Sequence, residues 1–186
     1  MRTIDFLPNH EDIKIIQDDE MFRINTDTAC LGEFVEVYKE DVVLDIGTNN
    51  GALLMYASFF KPKKLIGIDI NKEGIEDAKN FAEVNSINNA KFYSGNILKL
   101  LDKFKEEGFN PDVVVVDPPR KGMELQLINY LQKSKIKKIV YVSCNPATLV
   151  KNINHLQKKY AIKHIQPIDV FSQTSNIECI VELCLK

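Results

Sequence analysis

At 186 residues the chain is long enough for one sizeable core and too short for two ordinary domains. Its 45% hydrophobic and 27% charged residues are those of a soluble globular protein, and no apolar run approaches the roughly 20 residues needed to cross a bilayer. A formal charge of −2 argues against a surface that grips nucleic acid all over. The opening Met-Arg-Thr-Ile-Asp-Phe-Leu-Pro lacks the apolar stretch of a secretory signal, so a cytoplasmic location is expected. Cys30, Cys144, Cys179 and Cys184 form no C-x-x-C pair and have no histidine at ligand spacing. Neither a disulfide framework nor a bound metal is expected.

In chain order, Ile13 to Phe22 reads as one or two short strands and Asp27 to Tyr38 as a helix, with Thr26 or Asp27 as its N-cap. From Asp41 onward, β-branched runs alternate with amphipathic stretches of helical length. The strands are placed at Val42–Ile46, Lys64–Ile70, Lys91–Ser94, Asp112–Asp117, Lys137–Ser143, Ile162–Ile168 and Ile177–Leu185. Val113 to Val116 is apolar on both faces, as a central parallel strand covered by helices must be. Repeated βαβ units imply an α/β fold, a doubly wound sheet of seven mostly parallel strands with helices on both faces. The connection around Phe171 to Asn176 is too short for a crossover helix, so the last strand is expected to return antiparallel. The whole chain reads as one domain, 1–186, with 1–40 an N-terminal extension packed on a core of 41–186. The lysines at 133, 135, 137 and 138 read as a solvated helix end.

Asp45-Ile46-Gly47-Thr48-Asn49-Asn50-Gly51 follows the first core strand and opens a helix. Ligands of open α/β sheets bind beyond such strand ends. Gly47 permits a tight turn, and Gly51 is expected to let the helix pack close to a ligand. Asp69 ends the next strand, where a carboxylate can accept both hydroxyls of a ribose. The G-x-G-x-x-G that brings a pyrophosphate onto a helix N-terminus is absent. The pattern resembles the D-x-G-x-G-x-G signature of class I S-adenosylmethionine methyltransferases, which are Rossmann-like, with Asn49 in place of the middle glycine. The resemblance implies S-adenosyl-L-methionine as cofactor, with Asp45 beside its amino group and Asp69 beneath its ribose. Asn96 stands where that family has an aspartate for the adenine amine.

Three further segments carry chemistry: Asp117-Pro118-Pro119-Arg120-Lys121-Gly122, Ser143-Cys144-Asn145-Pro146-Ala147-Thr148-Leu149, and Gln173-Thr174-Ser175-Asn176-Ile177-Glu178-Cys179. From Val42 to Leu185 the chain resembles the RNA uracil 5-methyltransferases. That resemblance implies Cys144 as the nucleophile that adds to carbon 6 of uracil, and Glu178 as the base that removes the carbon 5 proton. It gives Asp117 a place in both the catalytic group and the cofactor pocket. Arg120 and Pro118 are assigned to the substrate. Cys144 precedes a helix N-terminus, so a lowered thiol pKa is expected. An antiparallel last strand brings Glu178 to the same sheet edge as Cys144. The remaining cysteines read as structural thiols.

Two departures from the family pattern bear on the acceptor. An RNA-binding β-barrel and an extra central segment do not fit in the roughly 40 residues before Asp41, which implies a minimal catalytic domain. Such a domain engages transfer or ribosomal RNA through local lysines, self-association or a protein partner, and no membrane. Phe22-Arg23-Ile24-Asn25-Thr26-Asp27 is more like the F-R-x-x-T-D start of adenine-N6 methyltransferases, which carry N-P-P-[YF] after the fourth strand. The D-P-P-R of this chain favours a pyrimidine. Methylation of adenine N6 or of a small molecule, and a cofactor-binding module without catalysis, are the alternatives.

Overall fold

The β-branched runs become strands because their side chains can be buried on both faces of a parallel sheet. The computed structural model describes residues 2–7, 10–18, 34–169 and 177–186. The 22–27 motif, its helix cap and the 171–176 connection lie outside them. The chain divides into two compact units, Met1–Ile97 and Leu98–Lys186.

In the first unit, β1 (Arg2–Leu7) and β2 (His10–Asp18) form an antiparallel pair with Ile4 opposite Ile16. Three parallel strands follow: β3 (Val42–Ile46), β4 (Lys64–Asp69) and β5 (Ala90–Ser94). They alternate with α1 (Ala52–Ser58) and α2 (Lys72–Val84). Residues 52–57 of α1 are all buried, as suits a helix that is apolar all round. In α2 the buried positions Gly74, Ile75, Ala78, Phe81 and Ala82 form one stripe, and the Asn71 side chain caps the helix by accepting from the Glu73 amide. At its other end Asn85 clasps β2: the Lys14 amide donates to Asn85 Oδ1 (3.0 Å), and Asn85 Nδ2 donates to the Lys14 carbonyl (2.8 Å).

The second unit opens with α3 (Ile97–Glu106) and continues through β6 (Val113–Val116), α4 (Leu125–Lys133), β7 (Lys138–Ser143), α5 (Pro146–Leu156), β8 (Tyr160–Ile168) and β9 (Glu178–Leu185). All four valines of β6 are buried. Strand β6 runs parallel to β7, whereas β9 runs antiparallel to both β7 and β8.

The expected seven-stranded, mostly parallel sheet with an antiparallel last strand is therefore observed. Its order is β5-β4-β3 in the first unit and β6-β7-β9-β8 in the second. Among the described residues, no helix is long and apolar enough to cross a membrane.

One element is corrected. The helix expected to reach Tyr38 does not: after Phe34 the backbone is irregular, and residues 27–33 lie outside the described set. Val35 and Val37 are buried while Glu36 and Tyr38 are exposed, a period of two that a helix cannot produce.

Candidate active site

In the first unit, the loop after β3 is bound to β4 through main-chain amides. Those of Gly47 and Thr48 both donate to the Ile68 carbonyl, at 2.9 and 3.1 Å. Gly47 (φ 89°) and Gly51 (φ 77°) lie in the left-handed region, and so does Asn49 (φ 46°), a residue type that tolerates it. Asp69 anchors the loop: Oδ2 accepts from the Asn49 amide and Oδ1 from the Asn71 amide, each at 2.8 Å. Each of its oxygens keeps a further lone pair for a ligand hydroxyl. Asp45 is buried at the end of β3, and Asn96 is exposed just beyond β5.

A Cβ on Gly51 would lie 2.9 Å from Ala78 Cβ and 3.0 Å from Phe92 Cε1, so its missing side chain also lets α2 and β5 pack against the loop. Two glycines escaped the sequence reading. A Cβ on Gly74 would lie 2.4 Å from Asn49 Oδ1 and 3.1 Å from the Asn49 carbonyl carbon, so α2 packs directly on the loop. A Cβ on Gly67, inside β4, would meet Thr48 Cγ2 and Phe92 Cδ1 at 2.7 Å. The Thr48 hydroxyl is buried and has no hydrogen-bond partner among the described residues. A buried carboxylate, an orphaned buried hydroxyl and a left-handed turn fit a polar nucleoside ligand.

In the second unit, Cys144 follows directly from β7 and precedes the N-cap of α5. Asn145 Oδ1 accepts from the Ala147 amide (3.1 Å), and Pro146 occupies the first turn. Antiparallel pairing sets Ser143 of β7 opposite Cys179 of β9. That is the last pair of the ladder, and Cys144 and Glu178 adjoin it on the two strands, near enough for the Glu178 carboxylate to act on the thiol. Both are half-buried.

Burial, and next the Glu178 carboxylate, push the Cys144 thiol above its ordinary value; its own backbone hydrogen bond and Arg120 pull it down, and Asp117 raises it further. The expected lowering at the helix N-terminus does not occur. Cys144 lies outside the helix it precedes, and partial burial with the two carboxylates outweighs the backbone hydrogen bond and Arg120. Asp117, Arg120, Cys144 and Glu178 thus form one electrostatic group. Asp117 and Arg120 are exposed, and Pro118 between them is half-buried.

The S-C-N-P-x-T segment also holds the D-P-P-R turn in place. The Arg120 carbonyl accepts from Asn145 Nδ2 and from Thr148 Oγ1, both at 3.1 Å. Further along α5, buried Asn152 accepts through one oxygen from the Met123 amide (2.8 Å) and the Tyr141 hydroxyl (2.6 Å). Burial pushes the Tyr141 hydroxyl up to about 12; the Met123 contact opposes this, and Cys144 and Asp117 add to it. Sequence reasoning missed Asn152. Its signal was a polar residue on the apolar stripe of Leu149, Ile153 and Leu156.

Of the other cysteines, Cys179 is buried, and Cys184 Sγ donates to Glu182 Oε1 at 3.4 Å. Cys30 lies outside the described residues.

Residues 31–186 match the family described as tRNA (uracil-5-)-methyltransferase. An uncharacterized RNA methyltransferase of Oceanobacillus iheyensis is 43% identical over 155 residues, covering 83% of this chain and 34% of the relative. A second, from Bacteroides thetaiotaomicron, is 39% identical over the same shares of both chains. The chain spans about a third of the length of these curated relatives. The crystal structure of Pyrococcus abyssi tRNA (uracil-54, C5)-methyltransferase in complex with S-adenosyl-L-homocysteine superposes with a TM-score of 0.78 at 27% identity. That match covers 98% of this chain and 44% of the neighbour. The chain belongs to the tRNA (uracil-5-)-methyltransferase family.

Proposed function

We propose that this chain is the catalytic domain of an S-adenosylmethionine-dependent RNA methyltransferase that modifies carbon 5 of uridine through a covalent adduct on Cys144. The observation that carries the proposal is that Cys144 and Glu178 adjoin the last pair of the β7–β9 ladder, beside the clamped D-P-P-R turn. An RNA substrate fits the cytoplasmic location expected from the sequence.

Carbon 5 of uracil is a weak nucleophile, so the ring must be activated before a methyl group can be transferred. The Cys144 thiolate forms a bond to carbon 6, and the ring double-bond electrons move into an enolate. S-adenosylmethionine, when bound, would supply the methyl group to carbon 5, its sulfur–methyl bond breaking to leave S-adenosylhomocysteine. The Glu178 carboxylate then removes the carbon 5 proton, the double bond reforms, and the carbon–sulfur bond to Cys144 breaks to return the thiolate. Arg120 stabilises the thiolate and the enolate by its charge. In the first unit, Asp45, the Thr48 hydroxyl and the further lone pairs of Asp69 would hold the cofactor, with Asn96 at the adenine. The single negative charges of Asp45 and Asp69 suit a ligand bearing an amino group and ribose hydroxyls, and do not suit a phosphate.

The test is transfer of a labelled methyl group to RNA followed by nucleoside analysis. Label in 5-methyluridine is expected. Label in N6-methyladenosine, or none in any nucleoside while the cofactor still binds, would overturn the reading.

A further inference from the structure

The lysines near the end of α4 do two different things. Lys137 Nζ pairs with Asp112 Oδ1 at 2.8 Å, and Lys138 Nζ with Glu182 Oε1 at 3.5 Å, so both are neutralised within the fold. Lys133 and Lys135 instead line a groove of about 590 Å³, together with Lys105 of α3. All three are exposed, and among the described residues they form no ion pair. Asp102 is the single acidic residue of the lining.

The groove also carries hydrogen-bonding and aromatic groups. Asn110, Gln126 and Asn129 contribute amides, and Tyr130 contributes a half-buried ring. Burial and then Asp102 raise the Tyr130 hydroxyl, so it remains a donor at neutral pH. Such a lining offers cations for phosphates and neutral amides and a ring for bases. Leu98 and Phe109 add apolar surface on which a base can rest, and an acidic peptide would not call for three amides and a tyrosine.

Its direction matters as well. Helix α4 begins at Leu125, just past the D-P-P-R turn, and Gln126 stands at that end. Lys133 is seven residues further on, about 10 Å along the axis. The groove therefore leads away from the turn that carries Asp117 and Arg120, with its cations at the far end.

We infer that the groove between α3 and α4 is a second RNA-binding track, in which Lys105, Lys133 and Lys135 hold phosphates of a single strand whose target base lies at Cys144. The inference rests on the proposed RNA methylation and adds where the flanking strand runs. On a chain with a net charge of −2, such a local cluster of cations is where a salt-dependent grip can form.

The test measures binding of a labelled single-stranded RNA of about a dozen nucleotides by fluorescence anisotropy across salt concentrations. The triple variant Lys105→Ala, Lys133→Ala, Lys135→Ala is compared with Lys39→Ala, Lys63→Ala, Lys79→Ala, which removes the same charge from the first unit. Three phosphate contacts account for a salt slope of about 2 on a single strand, or about 100-fold in affinity at 0.1 M salt. That loss is expected in the groove variant and not in the comparison variant, with an unchanged urea midpoint in both. Equal losses in the two variants, or no loss in either, would overturn the track. Covalent trapping of a trinucleotide containing 5-fluorouridine separates this from the catalytic reading: its adduct is expected in every variant, and its absence from the native chain would count against Cys144 chemistry alone.

Discussion

Replacing Asn152 by alanine removes the one acceptor shared by the Met123 amide and the Tyr141 hydroxyl, both in buried surroundings. Leaving a buried donor unsatisfied costs about 1–3 kcal/mol each. The Tyr141 hydroxyl can turn toward another acceptor, whereas the Met123 amide is fixed by the backbone. Alanine also returns about 0.5 kcal/mol as the better helix former. The net destabilisation is then about 2–4 kcal/mol, which with a urea slope of about 2 kcal/mol per molar lowers the midpoint by about 1–2 M. Urea denaturation followed by circular dichroism measures it. In a Tyr141→Phe background one of the two donors is already gone, so the same substitution is expected to cost at least about 0.5 kcal/mol less. Because Asn152 holds the 117–123 turn, methyl transfer by the variant is expected to fall even at urea-free, fully folded conditions. A midpoint shift below about 0.3 M, or strict additivity with Tyr141→Phe, would refute the assignment of Asn152 as the clamp.

Other substitutions probe the remaining links. Because the Cys144 thiol is raised, its alkylation by iodoacetamide is expected to climb with pH past the ordinary cysteine value of about 8.5. Glu178→Gln removes a raising charge and is expected to move that profile to lower pH, whereas Arg120→Ala moves it higher; a profile indifferent to both would break the electrostatic group apart. Gly74→Ala forces its methyl against the Asn49 main chain and is expected to weaken S-adenosylhomocysteine binding at least about 10-fold by calorimetry, with undiminished binding as the contrary result. Asn85→Ala removes both hydrogen bonds to Lys14, so faster amide exchange at Lys14 is expected, and unchanged exchange would show that the clasp contributes nothing.

How much of this was legible in the sequence depends on whether the signal was local. The strands from Val42 onward were placed to within about two residues, because parallel strands buried on both faces advertise themselves as apolar runs. Strand β8 begins at Tyr160, earlier than expected, because Tyr160 and Ala161 pair with Leu185 and Cys184 of β9, partners no periodicity reveals. The segment before Asp41 was misread because Val35 and Val37 are too few to distinguish a period of two from one of 3.6. At the site, the antiparallel return of β9 was enough to bring Glu178 to the end of β7 that Cys144 follows. The raised thiol was not foreseen, since it depends on what faces the sulfur across the sheet and not on the helix that follows it. The protein-packing role of Gly51 and the close approach at Gly74 depend likewise on Ala78, Phe92 and Asn49, which are distant in sequence.

The most direct measurement of the central claim is mass spectrometry of the chain after incubation with S-adenosylmethionine and an RNA containing 5-fluorouridine. Fluorine replaces the proton that Glu178 must remove, so elimination is blocked and the methylated adduct persists. A covalent protein–RNA species whose cross-linked peptide maps to Cys144 is expected, and none with Cys144→Ala. An adduct on another residue, or one that survives Cys144→Ala, would contradict that claim.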